Sequence, residues 1–130
     1  METTAAGVSL NTIGQIAITV KDVDRATRFY RDTLGMKFLF EFPGLAFFDA
    51  GGVRLMLSRA EKPEFDHAAS ILYYKVGDIG GVHRSLESKG VKVEEAPHLI
   101  APMPDHDLWI GSYRDSEGNY FALMSEVPRP

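Results

Sequence analysis

A strand-to-helix signature occurs twice in this chain, and that repeat constrains the fold more than any other feature. Val20-Lys21-Asp22-Val23 closes one alternating apolar run and opens a helical one; Val76-Gly77-Asp78-Ile79 does the same in the second half. Ahead of the first copy, IGQIAITV (13–20) puts Ile16, Ile18 and Val20 on one face and Gln15, Ala17 and Thr19 on the other. Behind it, DVDRATRFYRDTLG (22–35) places Val23, Ala26, Phe29, Tyr30 and Leu34 at helical spacing. Asp22 is suited to capping the first amides, and Gly35 to the left-handed turn that ends the helix. MKFLFEF, LAFFDA and VRLMLS then read as three strands separated by Phe42-Pro43-Gly44 and Gly51-Gly52. The second half repeats the order. SILYYKV (70–76) is a strand and DIGGVHRSLESKG (78–90) a helix, and VKVEE, LWIGSYR and YFALMS are strands. Two β-α-β-β-β units predict two similar modules closing around a shared surface.

The rest of the composition narrows the function. The 130 residues suffice for one domain. A net charge of -4 and the lack of a Lys/Arg cluster give no reason to expect nucleic acid or an anionic membrane as partner. No apolar run approaches the roughly 20 residues of a membrane helix. METTAAGVSLN has neither the basic start nor the long apolar core of a secretory signal. Residues 1–11 read as a flexible tail, and the expected location is cytoplasmic. With no Cys, disulfides, thiolate metal sites and Cys nucleophiles are excluded.

The repeat resembles the vicinal oxygen chelate superfamily, also called the glyoxalase / bleomycin resistance protein / dioxygenase superfamily. IAITVKDVDRATRFYRDTLGMKF, GGVRLMLS and YRDSEGNYFALMSE carry the resemblance, which spans residues 13–126. In the last segment Ser116 and Glu117 replace the Pro and second Asp of the family's Asp-Pro-Asp-Gly-Asn turn. The resemblance implies an α+β fold in which two βαβββ modules form curved mixed sheets around a concave cleft, with helices on the outer face. It implies a single domain over 12–127, with module one at about 12–60 and module two at about 68–126. A homodimer is expected, because members commonly pair modules across subunits.

Metal-dependent members bring four side chains from four strands into the cleft, His or Gln from the first strands and Glu from the last. In this chain those positions fall on Gln15, Met56, Ile71 and Ala122. Only Gln15 offers a donor for a hard or borderline cation. The expectation is therefore no cofactor and no metal ligands, with a relocated divalent metal as the alternative.

Strand alternation gives a mixed cleft lining. The candidate ligand-binding residues are Gln15, Arg54, Met56, Ile71, Tyr73, Trp109 and Tyr120. Met56 and Ile71 could equally fill core between the modules. APHLIAPMPDHDLW (96–109) reads as a long connection carrying His98, Asp105, His106, Asp107 and the only Trp. His106 beside Asp107 suggests a general base, although neighbours on an extended chain point apart. The leading expectation is a small amphipathic ligand bound in the cleft without metal. The alternative is a lyase, isomerase or dioxygenase using His98 or His106, and a third reading is an assembly module with a filled cleft.

Overall fold

A computed structural model describes residues 7–129. The elements follow the expected order: β1 (Gln15–Thr19), α1 (Val23–Arg28), β2 (Lys37–Phe42), β3 (Leu45–Ala50) and β4 (Val53–Ser58) form the first module. β5 (Leu72–Lys75), α2 (Ile79–Ser88), β6 (Lys92–Pro102), β7 (His106–Arg114) and β8 (Tyr120–Pro128) form the second. Each module is one four-stranded mixed sheet, ordered β1-β4-β3-β2 and β5-β8-β7-β6. In each, the first strand runs parallel to the last and the remaining pairs are antiparallel. Of the expected tail, residues 1–6 lie outside the described residues, and residues 7–14 form neither helix nor strand.

Local chemistry explains both helix starts. The Asp22 carboxylate accepts from the Arg25 amide at 3.0 Å, and the Asp78 carboxylate accepts from the Gly81 amide at 3.0 Å. Each satisfies one donor that the helix leaves open. The first helix does not continue as expected. Over Phe29–Thr33 it widens into a π-helical turn, with the Leu34 amide donating to the Phe29 carbonyl at 3.0 Å. Phe29 and Leu34 there pack against both hydrophobic cores.

The first core joins Ile18, Phe48, Leu55 and Leu57 of the sheet to Val23, Ala26 and Tyr30 of the helical segment. The second joins Tyr113, Phe121 and Leu123 to Ile79 and Leu86 of α2. Burying such side chains contributes roughly 1.5–3 kcal/mol each. Gly80 and Gly81 weaken α2 by about 1 kcal/mol each relative to Ala, so its apolar face holds it in place.

Two sequence expectations are corrected. Residues 96–102 are not a connection but the distal part of β6, paired with β7 in a long hairpin. Prolines are tolerated there because β6 is an edge strand and its ladder is broken by bulges. Ile71 lies just ahead of β5 rather than within it.

The DSEGN turn clasps the modules together. The Glu117 side chain, 1% exposed, accepts from the Lys21 amide at 3.0 Å and the Asp22 amide at 2.9 Å. It also receives Arg25 Nε at 2.8 Å, Arg25 Nη2 at 2.9 Å and the Ser116 hydroxyl at 2.9 Å. Burial alone would raise its pKa. The Arg25 guanidinium, the Asp22 and Lys21 amides and the Ser116 hydroxyl outweigh that and hold it at about 2. Beside it, the buried Tyr30 hydroxyl donates to Asp115 at 2.7 Å, and the Asn119 side-chain amide donates to the Thr19 carbonyl at 3.0 Å.

Candidate functional site

The face of the second sheet turned away from α2 carries a groove of about 620 Å³. Its register explains its lining. Tyr120, Ala122 and Met124 of β8 stand opposite Arg114, Ser112 and Ile110 of β7, and Tyr73 pairs with Ala122 across β5. Ile71, Tyr73 and Tyr120 are 47%, 53% and 40% exposed there, and His98, Glu94 and Glu95 contribute from β6. Among the described residues, none of module one lines this groove. Tyr120 is held by Arg114, whose guanidinium carbon lies 3.6 Å from the ring centroid. Arg114 is fixed in turn by Glu94 Oε1 at 3.0 Å and the Gly118 carbonyl at 2.7 Å. That pairing pulls the Glu94 pKa below its ordinary value.

The other sequence candidates separate. Gln15, Arg54 and Met56 share the open face of the first sheet, where Gln15 stands opposite Arg54 and Gln15 Nε2 lies 3.8 Å from Met56 Sδ. Trp109 belongs to neither surface. It follows Tyr113 at even spacing along β7, so it lies on the helix-facing side and packs against the second core. The alternation from Tyr113 through Gly111 to Trp109 in LWIGSYR carries that signal.

His98 and His106 are not brought together. His98 stands opposite Ile110, and His106 lies four residues from Ile110 along β7. At about 3.3 Å per residue this is roughly 13 Å. The His106 carboxylate partner is Asp105, with Nδ1 at 2.7 Å from Oδ1, and not Asp107, which pairs with Arg129. On its other side His106 Nε2 lies 3.8 Å from Glu126, which is bonded to Lys75 at 2.9 Å. Lys75 holds the Glu126 pKa low, and the His106 hydrogen bond does the same for Asp105.

The four positions at which the resemblance places a metal do not fit one. Met56 offers a thioether, Ile71 and Ala122 offer no donor, and Gln15 stands alone. Among the described residues, no three His, Asp or Glu side chains are grouped to hold an ion elsewhere.

Comparison with known proteins matches this architecture. The profile of the Glyoxalase/Bleomycin resistance protein/Dioxygenase superfamily matches residues 12–123. The chain belongs to that superfamily. It is 30% identical over 126 residues to "Uncharacterized protein YraH" of Bacillus subtilis (strain 168), covering 84% of this chain and 94% of that one. The structure of lactoylglutathione lyase from Agrobacterium tumefaciens is 25% identical with a TM-score of 0.69, over 88% of this chain and 93% of that one. TnmS3, an antibiotic binding protein from Streptomyces sp. CB03234, shares the fold at 20% identity and a TM-score of 0.73, over 92% of this chain and 99% of that one. Among the described residues no helix is long and apolar enough to cross a membrane.

Proposed function

We propose that this superfamily member binds a small amphipathic molecule in the module-two groove, without a resident metal ion. The observation that carries the reading is the pairing of an open, mixed-polarity groove with family metal positions that hold Met56, Ile71 and Ala122. Tyr73, Tyr120 and Ile71 supply apolar contact area, and Ser112, His98 and Glu95 supply polar anchors. That TnmS3 is described as an antibiotic binding protein supports a binding role for such a fold. The test is thermal denaturation of EDTA-stripped protein with Mg, Mn, Fe(II), Co, Ni and Zn, followed by a metabolite and drug-like ligand screen. A ligand that binds only the folded state stabilises it by about 2.7 kcal/mol at a hundredfold excess over Kd. No shift with any ion, and a saturable shift with an organic ligand that Tyr73→Ala abolishes, is the expected result. A saturable shift with one ion would overturn it.

A second reading, catalysis, draws on His106, which lies between Asp105 and Glu126. If the ligand found is turned over and His106→Ala abolishes turnover without weakening binding, the enzyme reading replaces the binder. We also propose a cytoplasmic homodimer. Support for the pairing is the apolar surface left open outside the groove, including Phe40, Phe42 and Leu99. Sedimentation analysis tests it, and a monomer at micromolar concentration would refute it.

A further inference from the structure

A second cavity, of about 490 Å³, opens where the two modules meet. Leu34 and Met36, which follow the π-helical turn, and Gly51 of the β3–β4 turn form its module-one wall. Val82 and Leu86 of α2 and the stretch Tyr73–Val76 form the facing wall. Tyr73 borders the groove as well, but the cavity takes in the α2 side of the second sheet, which the groove does not. Among the described residues, Gln15, Met56, Ile71 and Ala122 stand outside it, so the cavity is separate from the family's cleft positions.

Two features of this wall lack partners. β5 is an edge strand of its sheet, paired with β8 alone. The Val76 amide donates to the Met124 carbonyl of β8 at 2.9 Å. Backbone groups alternate along a strand, so Leu72 and Tyr74 turn theirs to β8 as well, whereas Tyr73 and Lys75 turn theirs outward, and both residues line the cavity. Among the described residues no strand takes up these amides and carbonyls. The second feature is Tyr74, whose hydroxyl is the one buried side-chain polar atom without a hydrogen-bond partner among the described residues. Burial and the Asp115 carboxylate push its pKa up to about 12, so it stays a donor at neutral pH. Lys75 is the one charged residue of the lining, and its ammonium is bonded to Glu126 at 2.9 Å. The cavity thus offers apolar surface, a hydroxyl donor and a row of open peptide groups, with its one cation already paired.

We propose that this seam cavity binds a neutral, largely apolar molecule carrying a secondary carboxamide, as a site separate from the module-two groove. Its carbonyl accepts from the Tyr74 hydroxyl, and its N–H donates to an open carbonyl of the β5 edge. The chemistry of the wall selects the class. An amide supplies acceptor and donor together, an ester supplies the acceptor alone, and a cation here would lose its hydration without gaining a counter-charge.

Two-dimensional NMR titration of the isotope-labelled full chain tests this with three probes of similar shape: N-butylbenzamide, butyl benzoate and N-benzylbutylammonium. The expected result is saturable binding of the amide, with resonance shifts at the backbone amides of Gly51, Tyr73, Lys75 and Val82. Butyl benzoate should bind about fivefold more weakly, and the ammonium at least about tenfold more weakly. Tyr74→Phe should weaken the amide and the ester by about fivefold each. The same variant should melt at the wild-type temperature or higher, because it deletes an unpaired buried hydroxyl. Val82→Phe fills the cavity from α2 and should abolish binding while the protein still unfolds cooperatively. Absence of amide binding would overturn the proposal, as would equal affinity for the three probes. Shifts confined to Ile71, Ser112 and Ala122 would place the probe in the groove and overturn it equally. So would a Tyr74→Phe variant that melts lower or binds the amide as tightly as the wild type, or undiminished binding by folded Val82→Phe.

Discussion

Replacing Glu117 by Gln removes one charge from the inter-module clasp while keeping its shape. The carboxylate has an ordinary value of 4.5 and is held at about 2 in the folded chain. A difference of that size corresponds to about 3 kcal/mol of stabilisation at neutral pH. Arg25 is half exposed, and its solvent screening lowers the expectation to about 2–3 kcal/mol. For a chain of this length that is a fall in Tm of about 8–12 °C. Glu117→Ala should cost more, about 3–5 kcal/mol, because it also leaves the Lys21 and Asp22 amides without their acceptor. The sign of the pH dependence follows from the depressed folded value. The contribution is fully present above the unfolded value near 4.5 and disappears as pH falls through about 2. The gap between wild type and Glu117→Gln should therefore be widest at pH 7 and shrink by more than about half at pH 3. Urea denaturation followed by circular dichroism at both pH values measures it. A gap below about 0.5 kcal/mol at pH 7, or one that does not change with pH, would refute the clasp as a source of stability.

Three further outcomes follow from contacts described above. Gly111→Ala should destabilise by about 1–3 kcal/mol, because its Cβ would sit 2.8 Å from the Tyr113 hydroxyl and 3.1 Å from Pro97 Cγ. Urea titration reads this, and wild-type stability would show that the two neighbours yield freely. Tyr30→Phe should cost about 2 kcal/mol in the same assay, since its buried hydroxyl donates to the Asp115 carboxylate. Trp109→Ala should lower stability by about 2 kcal/mol while leaving affinity for any groove ligand unchanged, and a loss of affinity without a loss of stability would return Trp109 to the binding site.

Much of the architecture was legible because local signals agreed. Asp22 and Asp78 cap helices, Gly35 takes a φ of 68°, and the alternation of β1 and β4 sets their faces correctly. The misread parts have physical causes. Pro97, Pro102 and Pro104 look like breakers, but an edge strand with bulges accommodates the first two within β6. The π-helical turn leaves no pattern of its own, because Phe29, Tyr30 and Leu34 fit ordinary helical spacing as well. The bulge after Phe38 shifts the facing of β2, so that Phe38 packs on the first core while Phe40 stands opposite Phe47, a slip that strict alternation does not anticipate. His106 pairs with Asp105, which lies ahead of β7, and not with Asp107, its neighbour within the strand, because successive strand residues face opposite ways.

The two halves differ most at their equivalent turns. In module two the turn at 115–119 reaches across to module one through Asp115, Glu117 and Asn119. In module one the corresponding turn between β3 and β4 is Gly51-Gly52, with φ of 65° and 96° and open space where a side chain would stand. The repeated units are thus not interchangeable parts: one carries a latch and the other is latched. An epitope or a reporter domain spliced between Gly51 and Gly52 would leave that latch shut. The same insertion at Glu117 would open the latch and leave the Lys21 and Asp22 amides and Arg25 without their acceptor.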